Sequence, residues 1–286
     1  MFGAFLVAIA TFAEELGSSV GKYTIAKRLE RPFTTGFTST LAGLIGILII
    51  GLYLPLNYFA PHFPGGFVFS LASLPTLIPR VILEVAQSYV TLFAVIRADR
   101  STFAFLRVLT IPLLLVADLV LGYAMTSAQI LGTVAIVASL ALLFGYHGIK
   151  KRGSLLVLFT ALNAVVTISL YKYDITYYNS VEAEQGIILF VLVVFFFTMA
   201  TMKRERPLHR IFHPAQLAQF ATGAIANGMF SFAILYMPAS VATAAKRALS
   251  VFWAICSGSI YFKEHHVYLK VAALGCVVVG IISISL

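Results

Sequence analysis

The chain has 286 residues, 60% of them hydrophobic and 11% charged, with a net charge of +9 and a mean hydropathy of +0.96. A soluble domain carries about 25% charged residues, so this chain is too apolar to keep a water-facing surface, and a cytosolic enzyme is excluded. The basic excess would suggest a nucleic-acid partner in a soluble protein, but here Lys and Arg fall in short breaks between apolar runs, which is the signature of membrane insertion, and no nucleic-acid partner is expected.

At about 20 residues per span, the length accommodates roughly ten transmembrane helices and no soluble domain. The first segment, 2–22, lacks the basic lead-in and small-residue cleavage site of a leader and reads as a helix carrying Glu14 and Glu15. Lys22, Lys27, Arg28 and Arg31 follow it. The second, 34–57, runs into the aromatic, Pro/Gly-rich stretch 57–66. In the third, 69–96, Pro75 and Pro79 are expected to kink the start, with Arg80, Glu84 and Gln87 beyond them and Arg97 and Arg100 after it. The fourth, 101–122, holds Arg107 and Asp118, each within about two turns of an end, so that snorkelling to the interface accounts for them.

The fifth, 127–147, precedes Lys150, Lys151 and Arg152, and the sixth, 153–172, centres on Asn163. The seventh, 185–202, is a continuous apolar run, unlike the alternating strands of a membrane barrel, and Lys203, Arg204, Arg206 and Arg210 follow it. The eighth, 213–236, has Asn227 at its middle, and the ninth, 239–262, carries Lys246, Arg247 and Trp253. Lys263 leads into the tenth, 266–286.

Every odd-numbered connection is thus basic, while the even-numbered ones hold little positive charge beyond Lys172. The positive-inside rule then places the odd loops in the cytoplasm and both termini on the opposite side. Ser101 to Arg107 and Ser240 to Lys246 repeat a serine followed six residues later by a base, at an offset of 139 residues. The expected fold is an all-α membrane protein of ten transmembrane helices in two inverted five-helix repeats, 1–148 and 149–286, forming one transmembrane domain.

Ionisable residues at depth cost from about 3 to over 10 kcal/mol, so they face a cavity or a partner and mark the transport path by default. The candidate substrate-binding residues are Lys246, Arg247, Arg80, Glu84, Glu15, Asn163, Asn227 and Arg107, with Glu14, Glu15 and Glu84 as candidate coupling residues. The competing reading makes the same charges internal ion pairs: Arg80 with Glu84 on one helix face, and Lys246-Arg247 with Glu14-Glu15. His265 and His266 beside Glu264 read as a solvated turn, and Cys256 and Cys276 inside apolar segments as neither disulfide nor metal ligands. With no Walker-type or dinucleotide motif either, neither metal nor cofactor is expected.

These features resemble the drug/metabolite transporter superfamily, its ten-helix EamA-like members and their nucleotide-sugar and triose-phosphate relatives. Gly17-Ser18 followed by Lys22 looks like the end of the family's first helix, Lys263-Glu264 like the Gly-Glu closing its ninth, and Gly275 to Gly280 suits a Gly-rich tenth. Glu14 stands where the family often has tryptophan, and Tyr123 replaces a first-half glutamate. Lys246-Arg247 resembles the Lys-Arg pair with which triose-phosphate translocators hold phosphate, about one helical turn earlier in the chain. The resemblance implies a secondary transporter, not an enzyme, for a small polar metabolite bearing phosphate or carboxylate. An amino-acid or drug exporter, a lipid-linked substrate flippase and a non-transporting scaffold are the alternatives. The partners expected are the substrate and the lipid bilayer, with monomer and homodimer both open. The absence of tails and retrieval signals favours a prokaryotic plasma membrane.

Overall fold

The structure is a computed structural model and describes residues 2–26, 31–53, 66–97, 106–107, 109–122, 126–128, 130–132, 134–135, 137–138, 153–207 and 213–262. Its helices are α1 (Phe2–Ala26), α2 (Pro32–Tyr53), α3 (Leu74–Arg97) preceded by a 3-10 turn (Leu71–Ser73), α4 (Thr110–Val120), α5 (Ser154–Tyr177), α6 (Val181–Met202), α7 (Pro214–Tyr236) and α8 (Ala239–Phe262). Six of them (α1, α2, α3, α5, α6 and α7) are long and apolar enough to cross a membrane. The chain is a multi-pass membrane protein, all-helical among the described residues, since a helix closes its own backbone hydrogen bonds and so survives in hydrocarbon. α8 is as long as these, and charged within its first half by Lys246 and Arg247. The tenth segment, most of the fifth, residues 57–65, Cys276, Lys263-Glu264 and the two adjacent histidines lie outside the described residues.

Local chemistry sets the helix ends. Pro75 falls in the first turn of α3, where a missing N–H costs nothing, and Pro79 alone lies inside the helix. Ser180 accepts a hydrogen bond from the Ala183 N–H and starts α6 four residues before the apolar run suggests. That moves Glu182 and Glu184 into the first turn of α6, where the positive end of the helix dipole favours acids. His213 caps α7 ahead of Pro214.

The helices pair mainly across the two halves of the chain. α1 packs on α7 and α8, α2 on α6 and α7, α3 on α5 and α6, and α4 on α8 and α5. Small residues permit the closest crossings. A Cβ on Gly46 of α2 would lie 2.7 Å from the Cα of Ala224 in α7, and one on Gly17 of α1 would lie 2.7 Å from Thr222 Oγ1. Gly17 and Gly21 form a G-x-x-x-G face on α1, with Gln219 against the second glycine. The central core joins Leu6 and Val7, Ile47 and Ile50, Tyr171 and Ile175, Phe232 and Ile234, and Ala242 and Ala245. Leu52, Ile82, Leu155 and Phe190 point outward, as lipid-facing positions do.

The bend between α7 and α8 is held by two charges. Lys172 of α5 donates from Nζ to the Ile234 carbonyl at 2.8 Å, at the negative end of α7. Asp118 of α4, fully buried, accepts from the Ser240 N–H at 2.8 Å, at the positive end of α8. Asp118 is therefore a buried helix cap, not the snorkelling residue its position near a helix end suggests, and Lys172 works inside the bundle although it reads as a loop residue.

Candidate functional site

The candidate site lies where α1 and α8 cross. Lys246 sits seven residues after Ala239, about 10 Å into α8, and Glu14 twelve residues after Phe2, about 18 Å along α1. Their side chains meet at 2.7 Å between Lys246 Nζ and Glu14 Oε2, with 16% and 34% of each exposed. The Lys246 ammonium also rests 4.0 Å from the centroid of the Phe230 ring of α7, a cation–π contact.

Three further charges complete the cluster. Arg247 lies within electrostatic reach of Arg107, Glu14 and Glu15, and Lys246 of Arg107 and Arg247. Arg107, a turn before α4, thus joins the cluster rather than the membrane interface. Adjacent residues on a helix point about 100° apart, so Lys246 can meet Glu14 while Arg247 turns to another side. Arg247 Nε is buried and makes no hydrogen bond. Among the described residues, three cations therefore stand against two carboxylates, leaving one positive charge in excess. Phe12 of α1 and Trp253 of α8 also pack between the two helices, with ring centroids 4.7 Å apart.

Arg80 occupies a second cluster. Its partner is Glu184 of α6, with Nη1 and Oε1 2.5 Å apart and both side chains sealed from solvent. Glu84, one turn on from Arg80, is within its electrostatic reach and within hydrogen-bonding reach of Thr167 on α5, yet does not form the ion pair. The guanidinium stacks 4.4 Å from the Tyr171 ring centroid. Asn179 donates to Glu184 Oε2 at 2.6 Å and to Ser73 Oγ at 2.9 Å, and its own carbonyl oxygen accepts from the Ser70 N–H. Thr76 donates to Asp174 Oδ1 at 2.5 Å.

The two asparagines belong to neither cluster. Asn163 donates to the Leu83 carbonyl and to Gln87 Oε1, both at 2.9 Å, bridging α5 to α3. Asn227 donates to the Gly223 carbonyl and lies over Gly43. Sequence reasoning missed Glu184, Asp174 and Asn179 because they fall at the α5–α6 turn, where acids read as loop residues. The Ser180 cap followed by two acids was the signal available for Glu184.

No family model and no curated protein matches the chain. A solved crystal structure superposes on it with a TM-score of 0.67 over 98% of each chain, at 15% identity, so the two share a fold.

Proposed function

We propose that the chain is a secondary transporter for a small anionic metabolite, bearing phosphate or carboxylate, which binds among Lys246, Arg247 and Arg107. The observation that carries this reading is the surplus positive charge, among the described residues, at a partly accessible point deep between α1 and α8. An arginine fork and a mobile ammonium suit an oxyanion better than a neutral sugar. The neighbouring Glu14 gives the anion something to displace from Lys246. A monoanion balances the site by itself, whereas a doubly charged phosphate brings one proton, taken by Glu14 or Glu15. Glu84 is a further candidate for coupling, and Asn163 and Asn227 hold lower rank as substrate contacts, since both are engaged with backbone carbonyls.

The reading includes ten helices in two inverted repeats of the drug/metabolite transporter kind, rocking about the central site. Its support is the pairing pattern: exchanging α1, α2, α3 and α4 for α5, α6, α7 and α8 maps the principal helix pairings onto themselves. Arg107 and Lys246, equivalent by the serine–base repeat, lie within electrostatic reach of each other beside the α4–α8 packing, a pair this exchange leaves in place. The orientation with termini outside rests on the basic odd loops. A second reading, an amino-acid exporter, is favoured by the Glu14–Lys246 pair, which a zwitterion could engage at both ends.

A ligand-stabilisation screen of the purified protein against phosphates, carboxylates, amino acids and nucleotides tests the proposal, followed by exchange in proteoliposomes. A site binder at a hundred times its Kd stabilises by about 2.7 kcal/mol. Arg247→Gln is expected to lose the anion-dependent shift while keeping its ligand-free melting temperature. Stabilisation by amino acids alone would transfer the argument to the second reading. Lys246→Gln and Arg247→Gln variants that both unfold, and are restored by Glu14→Gln plus Glu15→Gln, would make the cluster a structural one.

A further inference from the structure

We propose that residues 66–80 and the α5–α6 turn form a closed gate, and that the structure is the conformation in which the Lys246 cluster is sealed from that end of the bundle and reached from the end where α6 finishes. The one-sided cavity stands on the structure alone; that the gate opens and closes in turnover rests on the transport reading.

Two helices that start at the sealed end change character along their length. From the 3-10 turn into α3, the inward stripe Ser73, Leu77 and Arg80 is buried, and its continuation, Glu84 and Gln87, is half-buried. On α8 every residue from Ala239 to Ala245 is buried, and Lys246 and Arg247, about 10 Å in, are half-buried. Deeper still, polar side chains are exposed without facing lipid. Asn227, about 14 Å before the end of α7, lies against Gly43 of α2 and about 200° of turn away from the lipid-facing Ile225. Ser18, about 24 Å along α1, stands in the same relation to the lipid-facing Leu16 and shares a face with Glu14. An exposed amide and an exposed hydroxyl on inward faces mark an internal space open to solvent beyond Lys246.

The seal itself is a lattice of hydrogen bonds between the two halves of the chain. The Ser180 N–H donates to the Val68 carbonyl at 2.9 Å, and the Ser180 hydroxyl accepts from the Val68 N–H at 3.1 Å. Asn179 accepts from the Ser70 N–H and donates to Ser73 and Glu184. Thr76 donates to Asp174 and Arg80 to Glu184, with Leu77 on Ile188 and Leu192 as the apolar part. Such a surface can part, because water replaces each hydrogen bond and hydrates both charges once the faces separate. The α2–α6 contact is of the opposite kind: Phe196 packs on Gly36 and Phe37, and parting would expose apolar surface. Exchanging the halves carries the contact of the post-α2 segment with the start of α6 onto that of the post-α6 segment with the start of α2. There, among the described residues, Glu205 alone bonds Thr34, through its N–H and its hydroxyl. The lattice is therefore strong at one end and sparse at the other, as one-sided access requires.

Labelling of single cysteines in membrane vesicles of both orientations, without substrate, tests the gate. Cys256 and Cys276 are replaced by serine, Ser18→Cys or Asn227→Cys is introduced, and an anionic, membrane-impermeant methanethiosulfonate is added to one face at a time. Both positions are expected to label readily from the face bearing Lys203, and at least about tenfold more slowly from the face bearing Val68, since a minor conformation is about 0.1–10% populated. Asn179→Ala and Thr76→Val, which remove lattice bonds, are expected to raise the slow rate about fivefold. Gly46→Ala, which disturbs the α2–α7 crossing away from the gate, is expected to leave it unchanged. Equal rates from the two faces, or no labelling from either, would overturn the proposal, as would a slow rate that Gly46→Ala raises as much as the lattice variants do. Should Asn179→Ala fail to fold, a slow rate unmoved by Thr76→Val would also overturn it. A negative anion screen leaves this labelling pattern untouched, and equal labelling from both faces leaves an anion-dependent shift untouched, so the two readings fail separately.

Discussion

Replacing Arg80 with glutamine tests the pairing that separates the folded chain from its sequence. Arg80 and Glu184 are 1% and 0% exposed, so deleting the guanidinium leaves a carboxylate in a sealed, low-dielectric site. Breaking a buried pair from one side costs about 3–5 kcal/mol, and the lost stack on Tyr171 adds to it. Glu84→Gln is expected to cost about 1 kcal/mol or less, because the amide still reaches Thr167. In the double variant Arg80→Gln/Glu184→Gln neither charge is left alone, so its destabilisation should fall short of the sum of the single changes by roughly 0.5–3 kcal/mol. Denaturant-titrated unfolding of the purified protein in detergent, carried through the cycle, measures this coupling. If Arg80→Gln and Glu184→Gln prove additive while Arg80→Gln couples to Glu84→Gln, the assigned partner is wrong and helix spacing alone chose it.

Three further outcomes follow from the packing and the charge pattern. Gly46→Ala should destabilise by about 1–3 kcal/mol, since its Cβ would meet the α7 backbone at 2.7 Å, whereas Gly223→Ala, with its nearest neighbour at 3.5 Å, should be close to neutral in the same unfolding assay. Asp118→Ala should cost about 1–2 kcal/mol through loss of the Ser240 cap, while Asp118→Asn, which keeps an acceptor oxygen, should cost less. A cysteine introduced at Lys151 is expected to resist a membrane-impermeant reagent added to intact cells, and one in the 57–66 stretch to label; the reverse pattern would invert the proposed orientation.

Membrane class was settled by composition, because a chain with 11% charged residues cannot cover itself in water, and the helical fold by continuous apolar runs, where a barrel would alternate. The start of the ninth segment, Ala239, was legible to the residue, since Pro238 punctuates the chain just before it. Lys246, Arg247 and Glu14 stood out for a related reason: charge within an apolar run is costly enough to be conspicuous. The partners of those charges were another matter. Arg80 and Glu84 share a helix face by spacing, yet Arg80 reaches across to Glu184, more than a hundred positions away, because α3 packs on α6 and the Ser180 cap turns that acid inward. Arg107 and Asp118 look alike in sequence, as charges near helix ends, but one enters the Lys246 cluster and the other caps α8. Periodicity reports what a helix presents on each face; which neighbour meets that face depends on close crossings at small residues such as Gly46 and Ala224, and these exist only once the helices are packed.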